Sequence, residues 1–162
     1  MTSSISPFAV AAGDGPSMPT PTADRVTVKG RSDNTNGLLT VLELETEPMR
    51  GPALHVHQRE DEIWYVLEGK FRFMAGDEHY RLSKGGMAFG PRGTPHCFQN
   101  IGDGPGRLLI ICTPAGVERF FEAFAARTSS APGPTDPEVL AEIGQVYGVE
   151  FIGPPLALSH PL

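Results

Sequence analysis

The chain has 162 residues and a mass of 17.4 kDa, which suits one domain built around a single apolar core. Its 19 Asp and Glu residues outnumber 13 Lys and Arg, for a formal net charge of -6, and no basic cluster occurs, so nucleic acid is excluded as a partner on electrostatic grounds. No apolar run approaches the roughly 18 residues of a membrane span and no basic segment leads into an apolar one at the start, so no membrane partner is expected and a cytoplasmic location is the default.

Residues 1–24 are rich in Ser, Pro, Gly and Thr without a period, and read as an extended N-terminal arm. From residue 25 to 115 short alternating runs follow one another: "RVTVKG", "LLTVLELE", "PALHVHQ", "EIWYVLEGKFRFMAG", "EHYRLSKG", "GMAFGP", "TPHCFQNIG" and "GRLLIICTP". Glu68-Gly69, Ala75-Gly76-Asp77, Lys84-Gly85-Gly86 and Gly102-Asp103-Gly104 interrupt them where hairpins turn. This pattern predicts an all-β, antiparallel jelly roll or small barrel. Cys97 and Cys112, the only cysteines, lie in strand-like contexts and read as packing thiols rather than a disulfide framework.

The period changes over 116–162, which reads as a helical extension packed outside the barrel. "GVERFFEAFAAR" places Val117, Phe120, Phe121 and Phe124 on one helical face, expected to be core, with Glu118, Glu122 and Arg127 opposite. A loop over 128–135 leads to Asp136 and Pro137, an N-cap with proline at the first helical position, and a second helix should end near Gly148 before a tail.

The chemistry concentrates between residues 52 and 100. His55 and His57 alternate with Val56, so on a strand both imidazoles leave one face, about 7 Å apart at Cα. Glu62 follows after four residues, enough for the chain to turn and return a carboxylate to the same face. His96 enters a strand through Pro91, Gly93 and Pro95, a rigid turn that fixes its direction. Three imidazoles and a carboxylate suit one divalent transition metal per chain, Fe(II), Ni, Mn, Co, Cu or Zn, with positions left open for a small-molecule substrate. Glu62 is then both ligand and general base. Glu60 and Asp61 are expected in a solvated turn. Alternation along the strands directs Trp64 and Phe98 inward as pocket walls, with Phe71, Phe73 and Phe89 as further candidates, and sends Tyr65 outward.

These residues resemble the cupin superfamily. Its first motif, G(X)5HXH(X)3-4E(X)6G, is met by His55, His57, Glu62 and Gly69, with only the leading glycine departing: Gly51 stands two residues late. Its second, G(X)5PXG(X)2H(X)3N, is met by Gly85, Pro91, Gly93, His96 and Asn100. The resemblance implies a cupin jelly-roll β-barrel with the two C-terminal helices packed outside, and is nearest to single-domain cupins of the quercetin-dioxygenase-like kind. Those imply a metal-dependent dioxygenase acting on a flavonol-like, enol or hydroxy-keto compound, with Glu62 as the base. The same site also serves a non-oxidative isomerase, cyclase or lyase, or a non-catalytic metal-containing binding module. Cupins of this kind pair through sheet edges or exchanged N-terminal strands, which implies a homodimer.

Overall fold

A computed structural model describes residues 5–129 and 136–162, so most of the loop expected over 128–135 and the first four residues of the arm lie outside the described residues. The alternating runs form β1 (Ser17–Pro19), β2 (Arg25–Gly30), β3 (Thr40–Thr46), β4 (Ala53–His57), β5 (Asp61–Glu68), β6 (Lys70–Ala75), β7 (Glu78–Ser83), β8 (Met87–Gly90), β9 (His96–Asn100) and β10 (Gly106–Thr113). With β11 (Val149–Pro155) they make two facing sheets, ordered β1-β2-β3-β10-β5-β8 and β11-β4-β9-β6-β7. The observed pairings are antiparallel throughout.

Period-two alternation decides which side chains meet between the sheets. Val26, Val28, Leu42, Leu44, Trp64, Val66, Leu108 and Ile110 project inward from the first sheet and Phe71, Phe73 and Phe98 from the second, all buried in one cluster. Tyr65 points outward and is 41% exposed, as the alternation requires. Cys97 faces out of the barrel but is covered by Met74 and Leu156. Its thiol is pushed up to about 12 by burial, so it stays protonated.

The helical period of the C-terminal segment becomes α2 (Glu118–Thr128) and α3 (Pro137–Tyr147), preceded in the chain by the single turn α1 (Ser32–Thr35). Asp136 caps α3 by accepting from the Glu138 amide at 2.9 Å, and Gly148 closes it in the left-handed region at φ 77°. Two features differ from the sequence reading. The tail is no loose end: Val149 pairs with His57 and Phe151 with His55, so β11 becomes an edge strand, followed by the turn α4 (Leu156–Ser159). Its Gly153, Pro154 and Pro155 weaken the strand signal, yet an edge strand tolerates proline. Glu118, expected on the solvent side of α2, is fully buried. Its carboxylate accepts from the Ser32 amide and hydroxyl, the Thr40 hydroxyl and the Gly116 amide, pinning α2 to α1 and β3. Burial opposes the charge, but the Ser32 and Thr40 hydrogen bonds prevail and hold the acid below its ordinary range. Among the described residues no helix is long and apolar enough to cross a membrane.

The apparent glycine displacement in the first motif has a geometric explanation. Met49 occupies the motif's glycine position and itself takes the left-handed conformation, with φ 67°. Its amide donates to the Asn100 carbonyl at 2.9 Å, which holds the turn against β9. Gly51 serves a separate need: a Cβ there would stand 1.8 Å from the Phe98 carbonyl oxygen. The chain thus keeps the turn with a strained methionine and uses its glycine for close approach. Met49→Gly is expected to raise stability by about 1 kcal/mol, because relief of left-handed strain (about 1–3 kcal/mol) exceeds the added chain entropy of glycine (about 0.5–1 kcal/mol). Urea unfolding measures it, and a lower midpoint in the variant would mean that the methionine side chain stabilises more than its backbone costs.

Candidate metal centre

The ladder between β4 and β9 sets His55 directly opposite His96, with ring centroids 4.6 Å apart. His57, two residues along β4, lies on the same inward face, 5.1 Å from the His55 ring and nearly parallel to His96 at 5.2 Å. The carboxylate arrives from the other sheet. Glu62 sits near the start of β5, paired with Gly90 on one side and Cys112 on the other, and crosses the gap between the sheets. The sequence reading returned it to the face that carries the histidines; it comes instead from the facing sheet, because the turn after His57 passes the chain across the barrel mouth. Its Oε2 lies 3.3 Å from Nε2 of His57 and 3.1 Å from Nε2 of His96.

One donor atom from each of His55, His57, Glu62 and His96 falls within 4.8 Å of the others, and all four residues are buried. Metal–ligand bonds of about 2.0–2.2 Å place donors up to about 4.4 Å apart, so a small contraction completes the set. The ring tautomers fit as well. His55 Nδ1 lies 2.7 Å from the Ala53 carbonyl and His96 Nδ1 2.9 Å from the Thr94 carbonyl. A carbonyl can only accept, so these Nδ1 atoms carry the protons and donate, leaving each Nε2 lone pair free for a metal. Burial, with His96 and His57 adjacent, lowers His55 to about 3, so it stays neutral and able to ligate. Burial opposes the charge on Glu62, but His57 and the His96 hydrogen bond prevail and bring it down to about 2. For His57, burial is likewise outweighed by Glu62 and Glu60, and its pKa rises. A cluster of this composition could hold one metal ion.

Support behind the ligands is tight. Trp64 lies edge-on to His96 at 5.0 Å, and a Cβ on Gly90 would come within 2.6 Å of the Trp64 ring. This explains why β8 presents Ala88 and Gly90 inward, opposite Trp64 and Glu62, and sends its bulk outward. Phe89 is accordingly 51% exposed and forms no pocket wall. Phe71 and Phe73 are wholly buried in the core and do not border the cavity, and Trp64 backs His96 rather than facing open space. Of the five aromatic wall residues read from the sequence, Phe98 alone lines it.

The cavity itself measures about 260 Å³ and abuts His55, His57 and Glu62. Its other walls include Val26, Leu42, Leu44, Ile110, Cys112 and Val117 from the first sheet and its margin. Phe120 and Phe121 of α2, Leu140 of α3, and Val149 and Phe151 of β11 close the mouth. The sequence reading assigned the helical phenylalanines to core; Phe120 and Phe121 also face the cavity. Their helical spacing was the available signal, but periodicity does not say whether an apolar face meets a filled core or a void. Glu60 was missed too: read as solvated, it is 2% exposed beside His57. Asp61 is the surface partner of the run, paired with Arg92 at 2.8 Å.

Two facing antiparallel sheets with three histidines from one and a glutamate from the other define a cupin fold with a His/Glu site. Residues 42–112 match the Cupin domain family model. Over 61 residues it is 36% identical to an uncharacterized protein of Methanocaldococcus jannaschii, covering 38% of this chain and 49% of the relative. The chain thus spans about half the length of the curated relative it matches. Its fold is similar to that of KdgF from Halomonas sp. (TM-score 0.62, 17% identity, 70% of this chain and 99% of that one). It is also similar to that of an RmlC-like cupin from Shewanella frigidimarina (TM-score 0.61, 18% identity, 70% and 96%).

Replacing His96 by Ala, or His55 by Ala, should weaken metal retention at least about tenfold relative to the parent chain. Elemental mass spectrometry after reconstitution and desalting measures this, and parent-like metal content in both variants would remove the centre.

Proposed function

We propose that the chain is a metal-dependent dioxygenase-type oxidoreductase whose substrate is a small, largely apolar molecule bearing an enol or hydroxy-keto group. The observation that carries the reading is the cavity: its walls are mainly apolar, it opens onto the ligand cluster, and among the described residues no Lys or Arg lines it. A sugar phosphate or polycarboxylate would find a counter-charge there only at the ion, with mainly apolar walls around the rest of it. At about 260 Å³ the space falls below the roughly 300–1,000 Å³ typical of drug-sized ligands.

A divalent ion in the cluster would supply Lewis acidity toward an oxygen donor of the substrate. Glu62 borders the cavity and is held ionised, so its carboxylate is placed to accept the hydroxyl proton of a bound enol. Phe98, Phe120 and Val117 exclude water around the resulting anion, the electron-rich form that dioxygen oxidises. Oxygen uptake by the metal-reconstituted chain, screened with flavonols and 1,3-diketones, tests the reading. Glu62→Gln is expected to lower turnover at least about 100-fold while keeping part of the metal. Product formed without oxygen uptake would transfer the site to non-oxidative isomerase, cyclase or lyase chemistry; bound metal with no turnover would leave a binding module.

We further propose a homodimer. On the outer face of the first sheet Tyr65, Met87 and Phe89 are exposed beside the free edge of β8, and the arm presents Ile5 and Phe8 to solvent. Pairing would bury both apolar surfaces. Light scattering should give twice the chain mass, falling to one on Met87→Glu with Phe89→Glu; a monomeric parent chain would end the proposal.

A further inference from the structure

Among the three histidines, His57 is held differently. The Nδ1 atoms of His55 and His96 donate to neutral backbone carbonyls. That of His57 faces a carboxylate instead: Oε2 of Glu60 stands 3.4 Å away, and among the described residues neither atom has a hydrogen-bond partner. Glu60 lies on the turn between β4 and β5 and is 2% exposed, although acidic residues in such turns ordinarily face water. Among the described residues it forms no ion pair with Lys or Arg, since nearby Arg92 is engaged by Asp61. Its other oxygen is confined by the chain after β10, where a Cβ on Gly116 would lie 3.2 Å from Oε1. Burying an anion with only an imidazole as neighbour is costly unless a positive charge lies behind that imidazole.

We propose that Glu60 is a positioning residue of the metal centre: its carboxylate fixes the ring of His57 through Nδ1 and, with Glu62, brings the charge of the site to that which balances a divalent cation. Two consequences follow from the chemistry. An imidazole whose far nitrogen faces a carboxylate is a stronger donor through Nε2 than one whose far nitrogen faces a carbonyl, so His57 is the strongest donor of the three toward the ion. The pair of carboxylates also selects for a divalent ion over a monovalent one, because only the former neutralises both. The assignment rests on the metal-centre reading, and one titration distinguishes the failure of either.

The test is Co(II) titration of the full chain, with the dissociation constant read by competition with a chelator and the ligand field read from the visible absorption of the bound ion. Binding by the parent chain establishes the centre itself. Glu60→Gln keeps the shape and removes the charge; it should weaken Co(II) about 10–100-fold and shift the visible bands. Thermal melting of the metal-free protein should stay within a few degrees of the parent. Glu60→Asp, which keeps the charge but withdraws it by one methylene, should recover part of the affinity and guards against a glutamine variant that folds poorly. A Glu60→Gln variant with parent affinity and an unshifted spectrum overturns the proposal. So does an aspartate variant no better than the glutamine one, since the charge would then be irrelevant.

Discussion

The convergence of three imidazoles and one carboxylate in a buried cluster is the constraint on which the rest of the structure depends. The arrangement is unfavourable by itself, because burial disfavours charge on His55, His57 and Glu62. It persists because the backbone enforces it from two directions. The β4–β9 ladder presses His55 against His96, while β5, anchored between β8 and β10, carries Glu62 across from the facing sheet. Carbonyls of Ala53 and Thr94 then choose the tautomer that aims a lone pair inward. Small inward residues on β8 leave room for Trp64 behind His96, so the ring is braced by packing as well as by hydrogen bonding.

Polar chemistry at one end of the barrel is matched by an apolar void beside it. The two sheets leave the inward face unfilled at the edge near β2 and β4, which is finished by α2, α3 and β11, whose apolar side chains wall the cavity. Glu118 fixes how α2 approaches, through donors from three separate segments. The helices therefore shape the cavity as much as the barrel does, and the C-terminal strand contributes on both counts, pairing with the histidine strand while placing Phe151 5.9 Å from the His55 ring.

Acidic residues close together in sequence meet different fates here. Glu60, Asp61 and Glu62 occupy consecutive positions, yet one lies behind a ligand, one pairs with Arg92 at the surface, and one faces the cavity. Alternation on a strand separates neighbours by face, but it has no hold on a turn residue, and Glu60 precedes β5. That is why the inward orientation of Glu62, though not the sheet it comes from, was legible in the chain while the burial of Glu60 was not. The phenylalanines show the same limit from the apolar side: Phe71, Phe73, Phe89 and Phe98 all sit in alternating runs, and only the register against partner strands separates filled core, outer surface and cavity wall.

The sequence by itself determined the antiparallel β architecture, the two helices with the Asp136 cap, and the four residues of the candidate metal site, because each depends on local period, turn chemistry or motif spacing. Tertiary structure alone decided that Glu62 approaches from the opposite sheet and that the tail becomes an edge strand. It also decided that Met49 holds the left-handed turn while Gly51 admits a carbonyl, and that helical phenylalanines wall the cavity. These depend on distances between segments far apart in the chain, and such distances are set by how whole sheets and helices pack, which no local pattern encodes.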